Sequence, residues 1–267
     1  MTESEVFEEN RQLGFGVLYD YVPSISCYQV SLVIFVGWGC MVAGAIQYAQ
    51  IILQAPPNNS TCIDFDGVEN ATKLPVNDCS IDCKAYNHSF YLFDETIDSQ
   101  FDLVCSEKSK SAIISSLSLF GHFIGALGLG PVADKFGRRN ALLIASIFCT
   151  IFSLLTALAS QNLWLFTGKL KKNFGINFVV WRMLAGAFAH GIMPIAGTYC
   201  VEHFGAKHRS YGTALNQASF SVGIAFLSLA GWLFGDWHNQ ALAIVALPAV
   251  FFFITVCLPE SIAFSYR

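Results

Sequence analysis

Two short stretches that interrupt long apolar runs hold seven charged residues, five of them carboxylates or guanidinium groups. Asp134, Arg138 and Arg139 fall within residues 132–139, and Glu202 and Arg209 within residues 200–213. Carboxylates and guanidinium groups in this arrangement make ion pairs rather than a reaction centre. Partly exposed pairs are individually weak, from near zero to about 1 kcal/mol, which suits a gating contact that must form and break. A second group lies inside the apolar runs themselves: Gln217, His190 and His122. Polar groups at membrane depth are costly unless used or paired. Gln217 and His190 are therefore candidates for substrate contact, with helix-to-helix hydrogen bonding as the competing reading. His122 reads as a buried imidazole bonded to a neighbouring backbone.

The elements that must hold these residues are membrane spans. Hydrophobic residues make up 54% of the 267, charged residues 13%, and Phe alone numbers 24. Soluble domains carry about a quarter charged residues, so the composition is that of a multi-span membrane protein. Spans are expected at residues 29–52, 111–131, 140–160, 178–199, 214–234 and 241–258. At about 1.5 Å per residue, twenty residues match the roughly 30 Å hydrocarbon core. The connections are residues 53–110, 132–139, 161–177, 200–213 and 235–240, with a lead-in of 1–28 and a tail of 259–267. The lead-in carries Glu3, Glu5, Glu8 and Glu9 and lacks the basic start of a signal peptide. The first span is thus expected to act as the insertion signal, leaving both termini cytoplasmic.

The net charge of −4 comes without a basic cluster, which argues against nucleic acid as a partner. No nucleophile, base and acid converge, so an enzyme is not expected. Gly128-Leu-Gly130 sits inside an apolar run and continues into Pro131, not the strand–turn–helix of a dinucleotide site. No cofactor is implied.

Residues 53–110 form the one long polar connection. Four N-glycosylation sequons occur there, at Asn58, Asn59, Asn70 and Asn87, and nowhere else in the chain. This clustering marks the loop as extracellular. Cys62, Cys79, Cys83 and Cys105 share it, and an even number of cysteines in an oxidising compartment implies two disulfides with three possible pairings. Zinc at Cys79 and Cys83 with His88 is the weaker alternative, and His203 and His208 read as part of a solvated turn, so no metal site is expected. Lys and Arg number seven on the cytoplasmic side (Arg11, Lys135, Arg138, Arg139, Lys207, Arg209, Arg267) and five on the outer flanks (Lys108, Lys110, Lys169, Lys171, Lys172). Charge alone barely orients the chain; the sequons decide it. Residues 167–177, with three of those outer lysines, read as an inserted peptide.

The stretch Gly130-Pro-Val-Ala-Asp-Lys-Phe-Gly-Arg-Arg139 resembles the major facilitator superfamily signature Gly-x-Leu-Ala-Asp-Arg-x-Gly-Arg-Arg. It matches at Gly130, Ala133, Asp134, Gly137, Arg138 and Arg139. Arg182 with Gly186 resembles the superfamily's Arg-x-x-x-Gly pattern. A large cysteine-bearing loop closing on Phe101-Asp-Leu-Val-Cys105 narrows the resemblance to the organic cation, organic anion and carnitine transporter family. Glu202, Gly205 and Arg209 resemble that family's turn after the fourth helix, and Leu258-Pro-Glu-Ser261 its text after the sixth. The loop carries four cysteines, whereas that family usually has six.

The resemblance implies an all-α polytopic membrane protein: six transmembrane helices as two three-helix repeats, one half of a major facilitator fold, with a disulfide-bearing glycosylated extracellular loop. It implies transport of a small organic ion by alternating access at the plasma membrane, with the bilayer and a second six-helix half as partners. Gln217 matches a cavity-facing glutamine of cation-transporting relatives, and His190 a position that can be basic there. The alternatives are a non-transporting six-span glycoprotein, acting as a pseudo-transporter or regulatory subunit, and a sugar or phosphate carrier of the same superfamily.

Glycine is frequent in the first, second, fourth and fifth spans and absent from the third and sixth. This rich-rich-poor order, repeated, is what a transporter half built from inverted repeats shows. Gly130, Gly137, Gly186, Gly191 and Pro194 are the expected packing or hinge positions, and glycine-poor spans should serve as lipid-facing struts.

Overall fold

A computed structural model describes residues 27–64, 85–101, 103–105, 108–161, 176–204 and 208–259. Six helices are long and apolar enough to cross a membrane. They are α1 (Cys27–Leu53), α3 (Lys108–Phe136), α4 (Arg138–Gln161), α5 (Ile176–Glu202), α6 (Arg209–Leu233) and α7 (Trp237–Cys257). Between α1 and α3 lie strands β1 (Asn59–Asp64) and β2 (Ala85–Ser89) and the one-turn helix α2 (Ile97–Gln100). The strands pair antiparallel, Asn59 opposite Ser89 and Cys62 opposite Tyr86. That two-stranded sheet corrects the all-helical expectation. Both strands are made mostly of polar residues and lie between the first two long helices.

Helix packing follows a simple exchange rule. Helix α5 lies between α3 and α4, while α1 lies between α6 and α7; α1 also meets α5, and α4 meets α7. Exchanging the first three long helices for the last three leaves this pattern unchanged. Helix α1 is the most enclosed, and α3 and α6 the least. The main core joins Leu32 and Val36 of α1, Leu142 of α4, Ile192 and Tyr199 of α5, and Phe251 of α7.

Glycine explains the two tightest seams. A Cβ at Gly121 or Gly125 on α3 would overlap the carbonyls of Met183 and Ala187 on α5. A Cβ at Gly44 on α1 would overlap the Phe220 carbonyl of α6, and one at Gly223 the Met41 carbonyl of α1. Small residues let backbones approach this closely, which is how helices associate where lipid supplies no hydrophobic drive. Gly44, Gly121, Gly125 and Gly223 therefore serve contact between backbones, a more specific use than cavity lining. Helices α4 and α5 instead meet through stacked rings, Phe148 on Phe188 at 5.1 Å and Phe152 on Trp181 at 5.7 Å.

The turn expected over residues 132–139 is much narrower in the structure. Helix α3 continues through Pro131 to Phe136, and only Gly137, at φ 95°, separates it from α4. Glycine alone adopts that conformation freely. The Gly137 amide donates to the Ala133 carbonyl (3.1 Å) and the Ala141 amide to the Gly137 carbonyl (3.1 Å), so the break leaves few backbone groups unmet.

At the opposite end, residues 94–100 clasp the ends of α3 and α7 together with Ala55 and Gly235. Thr96 caps α2 and donates its hydroxyl to the Ala55 carbonyl at 3.0 Å. The Asp98 carboxylate accepts from Ser111 of α3 at 2.9 Å, and the Asp94 amide donates to the Gly235 carbonyl at 3.1 Å. Trp237 Nε1 of α7 donates to Gln100 Oε1 at 3.1 Å. Burial pushes the Asp98 carboxyl above its ordinary range, with the Ser111 hydroxyl and Lys108 opposing the shift. Burial beside Asp236 does the same to Glu95. Cys105 is disulfide-bonded. The side chain of Cys62, and Cys79 and Cys83, lie outside the described residues, as do Asn70, the side chain of Asn59 and residues 167–175 of the inserted peptide, whose last two residues open α5. Asn58 and Asn87 are exposed on the hairpin.

Candidate functional site

The one-residue break at Gly137 decides the geometry of the charged cluster. It places Asp134 on the last turn of α3 and Arg138 at the start of α4, four residues apart. Arg138 pairs with Asp134 and also with Glu202 at the end of α5, Nη2 to Oε1 3.2 Å and Nε to Oε1 3.3 Å. Three of the five expected gating residues thus meet, all within one six-helix bundle. Arg139 Nη2 donates to the Val256 carbonyl of α7 at 2.7 Å, tying α4 to the end of its neighbour. Arg209 Nε donates to the Phe204 carbonyl at 3.4 Å.

The turn after α5 departs from expectation. His203 is buried, not solvated: its ring lies 4.5 Å from that of Tyr199, and Nδ1 is 2.8 Å from the Tyr199 carbonyl. Burial pushes the His203 imidazole below its ordinary value, with the Tyr199 carbonyl and Glu202 opposing. Among the described residues no group of three or more His, Cys, Asp or Glu is disposed to hold a metal ion.

Inside the bundle the polar side chains are arranged along α5. His190 is half-buried, and its ring stacks on His122 of α3 with centroids 4.7 Å apart. His122 is buried as expected, but neither ring nitrogen has a hydrogen-bond partner, so the expected backbone bond is absent. His190 Nδ1 is likewise buried without a partner. The cause is local. Gly186 leaves the space that the His122 ring fills, its Cδ2 2.5 Å from where a Cβ at Gly186 would stand. A Cβ at Gly191 would meet Leu129 and the Gly125 carbonyl. Pro194 lies within an uninterrupted α5 and removes the amide that would have met the His190 carbonyl. A Cβ at Gly130 would meet nothing within 4 Å.

Gln217 lies on the exposed face of α6, away from the core. Its neighbour Asn216 is buried, beside the Cys40 thiol, with Oδ1 unpartnered. One residue is about 100° on a helix, so the two amides face opposite environments. Arg182 is the larger omission. It is buried between α5 and its neighbours, and Nε has no hydrogen-bond partner. The signal was available: Arg182 is the sole Lys or Arg within the six expected spans.

Residues 58–267 match the family described as Sugar (and other) transporter. Solute carrier family 22 member 1 of Oryctolagus cuniculus is 28% identical over 195 residues, 72% of this chain and 31% of that protein. Solute carrier family 22 member 7 of Rattus norvegicus is 32% identical over 170 residues, 63% of this chain and 29% of that protein. The chain therefore spans less than a third of the length of these curated relatives. The inward-open conformation of the xylose transporter XylE from E. coli superposes with a TM-score of 0.61 at 17% identity, covering 90% of this chain and 50% of that one. That likeness is one of fold.

Proposed function

Because the chain belongs to the sugar (and other) transporter family of the major facilitator superfamily, we propose that it forms the N-terminal half of a carrier for small organic ions. The observation that carries this reading is the agreement of two signatures with the same relatives. The Gly130–Arg139 turn points to the major facilitator superfamily and the loop closing on Phe101–Cys105 narrows it to the organic-ion carriers, and the curated relatives are solute carrier family 22 members. The half works by alternating access at the plasma membrane, its termini cytoplasmic and residues 53–110 outside. Glycans sit at Asn58, Asn59, Asn70 and Asn87. Cys62, Cys79, Cys83 and Cys105 form two disulfides, a reading supported by the bonded state of Cys105.

A second six-helix half covers the exposed faces of α3 and α6, where Leu117, Phe120 and Ile124, and Leu215 and Val222, are uncovered. Gln217, exposed on another side of α6, and His190 on α5 contact the substrate in the cavity between halves. Asp134, Arg138, Arg139, Glu202 and Arg209 form the gate. Only a few kcal/mol need separate the two access states, within reach of weak, half-exposed pairs.

The test is to express the chain together with the C-terminal six-helix half of rabbit solute carrier family 22 member 1. Uptake of a labelled quaternary ammonium and of a labelled aromatic carboxylate is then measured. Saturable uptake of either, lost with Gln217→Ala or His190→Ala, supports the reading. Surface delivery of both halves without uptake of either probe overturns it in favour of a non-transporting six-span glycoprotein. Uptake of a sugar alone assigns the chain to the sugar carriers.

A further inference from the structure

Arg182 lines a cavity of about 30 Å³ enclosed by α1, α3, α4, α5 and α7. Its other polar walls are Ser118 of α3 and Ser153 and Thr156 of α4. All four side chains are buried, Arg182 at 8% exposure and Ser118 at 3%. Arg182 Nε and Ser153 Oγ are both without a hydrogen-bond partner. A guanidinium cannot shed its proton in a protein, so the cavity carries a full positive charge. Leaving such a charge uncompensated at membrane depth costs about 3 kcal/mol or more.

Among the described residues no carboxylate is placed to meet it. The acids within the six spans are Asp134 and Glu202, each at a span end. Glu202 is twenty residues along α5 from Arg182, about 30 Å at the helical rise. Asp98 is held by Ser111, seven residues or about 10 Å along α3 from Ser118. Its carboxylate belongs to the clasp.

We propose that this cavity is a binding site for one small monovalent anion of the halide class, held by the Arg182 guanidinium and the Ser118 and Ser153 hydroxyls. The donors suit that ligand: a guanidinium fork and two hydroxyl protons converge from three helices. Thr156 takes no part as a donor, because its hydroxyl is given to the Phe152 carbonyl at 2.8 Å. Size selects within the anions. A cavity needs about 10–15 Å³ to admit one water, so the space takes a monatomic ion and little more. An aromatic or amphipathic organic ion does not fit. The site is therefore separate from the substrate contacts proposed at Gln217 and His190, and its fate does not depend on theirs.

The experiment uses the full chain purified in detergent in sodium gluconate. Sodium chloride, bromide or formate replaces gluconate at constant ionic strength while the melting temperature is followed. The expected result is a saturable rise with chloride and bromide. Ser153→Ala shifts its midpoint at least about tenfold higher, and Arg182→Gln abolishes it. If Arg182→Gln does not fold, Ser118→Ala and Ser153→Ala decide, each weakening the halide response. An absent or unsaturable response in the natural chain overturns the proposal. So does an equal response in the natural chain and the serine variants, which would mean that water hydrates Arg182. Saturation by formate but not by halide would also overturn it, assigning the cavity to a carboxylate.

Discussion

Arg138 reaches from the start of α4 to the end of α5, its Nη2 3.2 Å from Glu202 Oε1. On its other side it pairs with Asp134, whose side chain is 61% exposed where that of Glu202 is 16%. One guanidinium therefore serves a sheltered carboxylate and a solvated one. Solvent screens the Asp134 contact more, so it opens more readily.

Loss of this bridge should stop the cycle without unfolding the bundle. Arg138→Ala, and Asp134→Asn paired with a second six-helix half, should each lower uptake at least about tenfold while surface biotinylation stays near the natural level. Surface-pair energies of about 1 kcal/mol are too small to unfold the protein. Normal uptake by both variants would remove the gate.

Backbone seams make a sharper stability contrast. Gly125→Ala places a methyl group inside the Ala187 carbonyl, whereas nothing lies within 4 Å of a Cβ at Gly128. Overpacking costs about 1–3 kcal/mol. Gly125→Ala should thus melt several degrees lower in detergent and Gly128→Ala at or above the natural temperature. Equal melting of the two would refute close packing between α3 and α5.

Acid should favour the clasp. Asp98 has a carboxyl pushed above its ordinary value chiefly by burial, so the folded chain holds this proton more tightly than the unfolded chain. Its contribution to stability is fully present below the unfolded value and falls as pH rises through the folded one. Asp98→Asn keeps an acceptor for Ser111 and removes the charge. Its melting temperature should therefore exceed the natural one at neutral pH, with the difference shrinking toward pH 3. A gap that widens on acidification would reverse the assignment.

Ring stacking along α5 should show in substrate affinity. In the paired halves, His122→Phe retains the stack and should leave KM within about twofold. His190→Ala removes a ring with a free nitrogen and should raise KM several-fold with kcat little changed, the sign of lost ground-state binding. Unchanged KM in His190→Ala would take that residue out of the substrate path.

Hydropathy made the spans legible because each carries about twenty apolar residues, and the same signal blurred their ends. Asp134 and Lys135 look like loop residues, yet helical hydrogen bonding carries them on α3 to Phe136. Gln217 and Asn216 illustrate a different limit. Span five is apolar on nearly every side, so periodicity does not say which amide faces inward, and packing against Cys40 decides for Asn216. His203 sits in a polar-looking turn, but Tyr199 and the Gln29 side chain, 3.2 Å from the His203 carbonyl, draw it under cover. Long-range neighbours of that kind leave no local trace. Arg182 did leave one, as a lone cation among apolar residues.

The carbonyl-deep fits of Gly125 against Ala187 and of Gly44 against Phe220 have a mechanical consequence. Main chains keyed together without intervening side chains cannot slip by a rotamer, so α3 with α5, and α1 with α6, behave as two stiff planks. Compliance is left to the seam between α4 and α5, where ring sliding over ring tolerates small offsets. Any rocking of this bundle is then a tilt of planks on an aromatic cushion, and spin labels on α3 and α5 should keep a constant separation while labels on α3 and α7 drift apart.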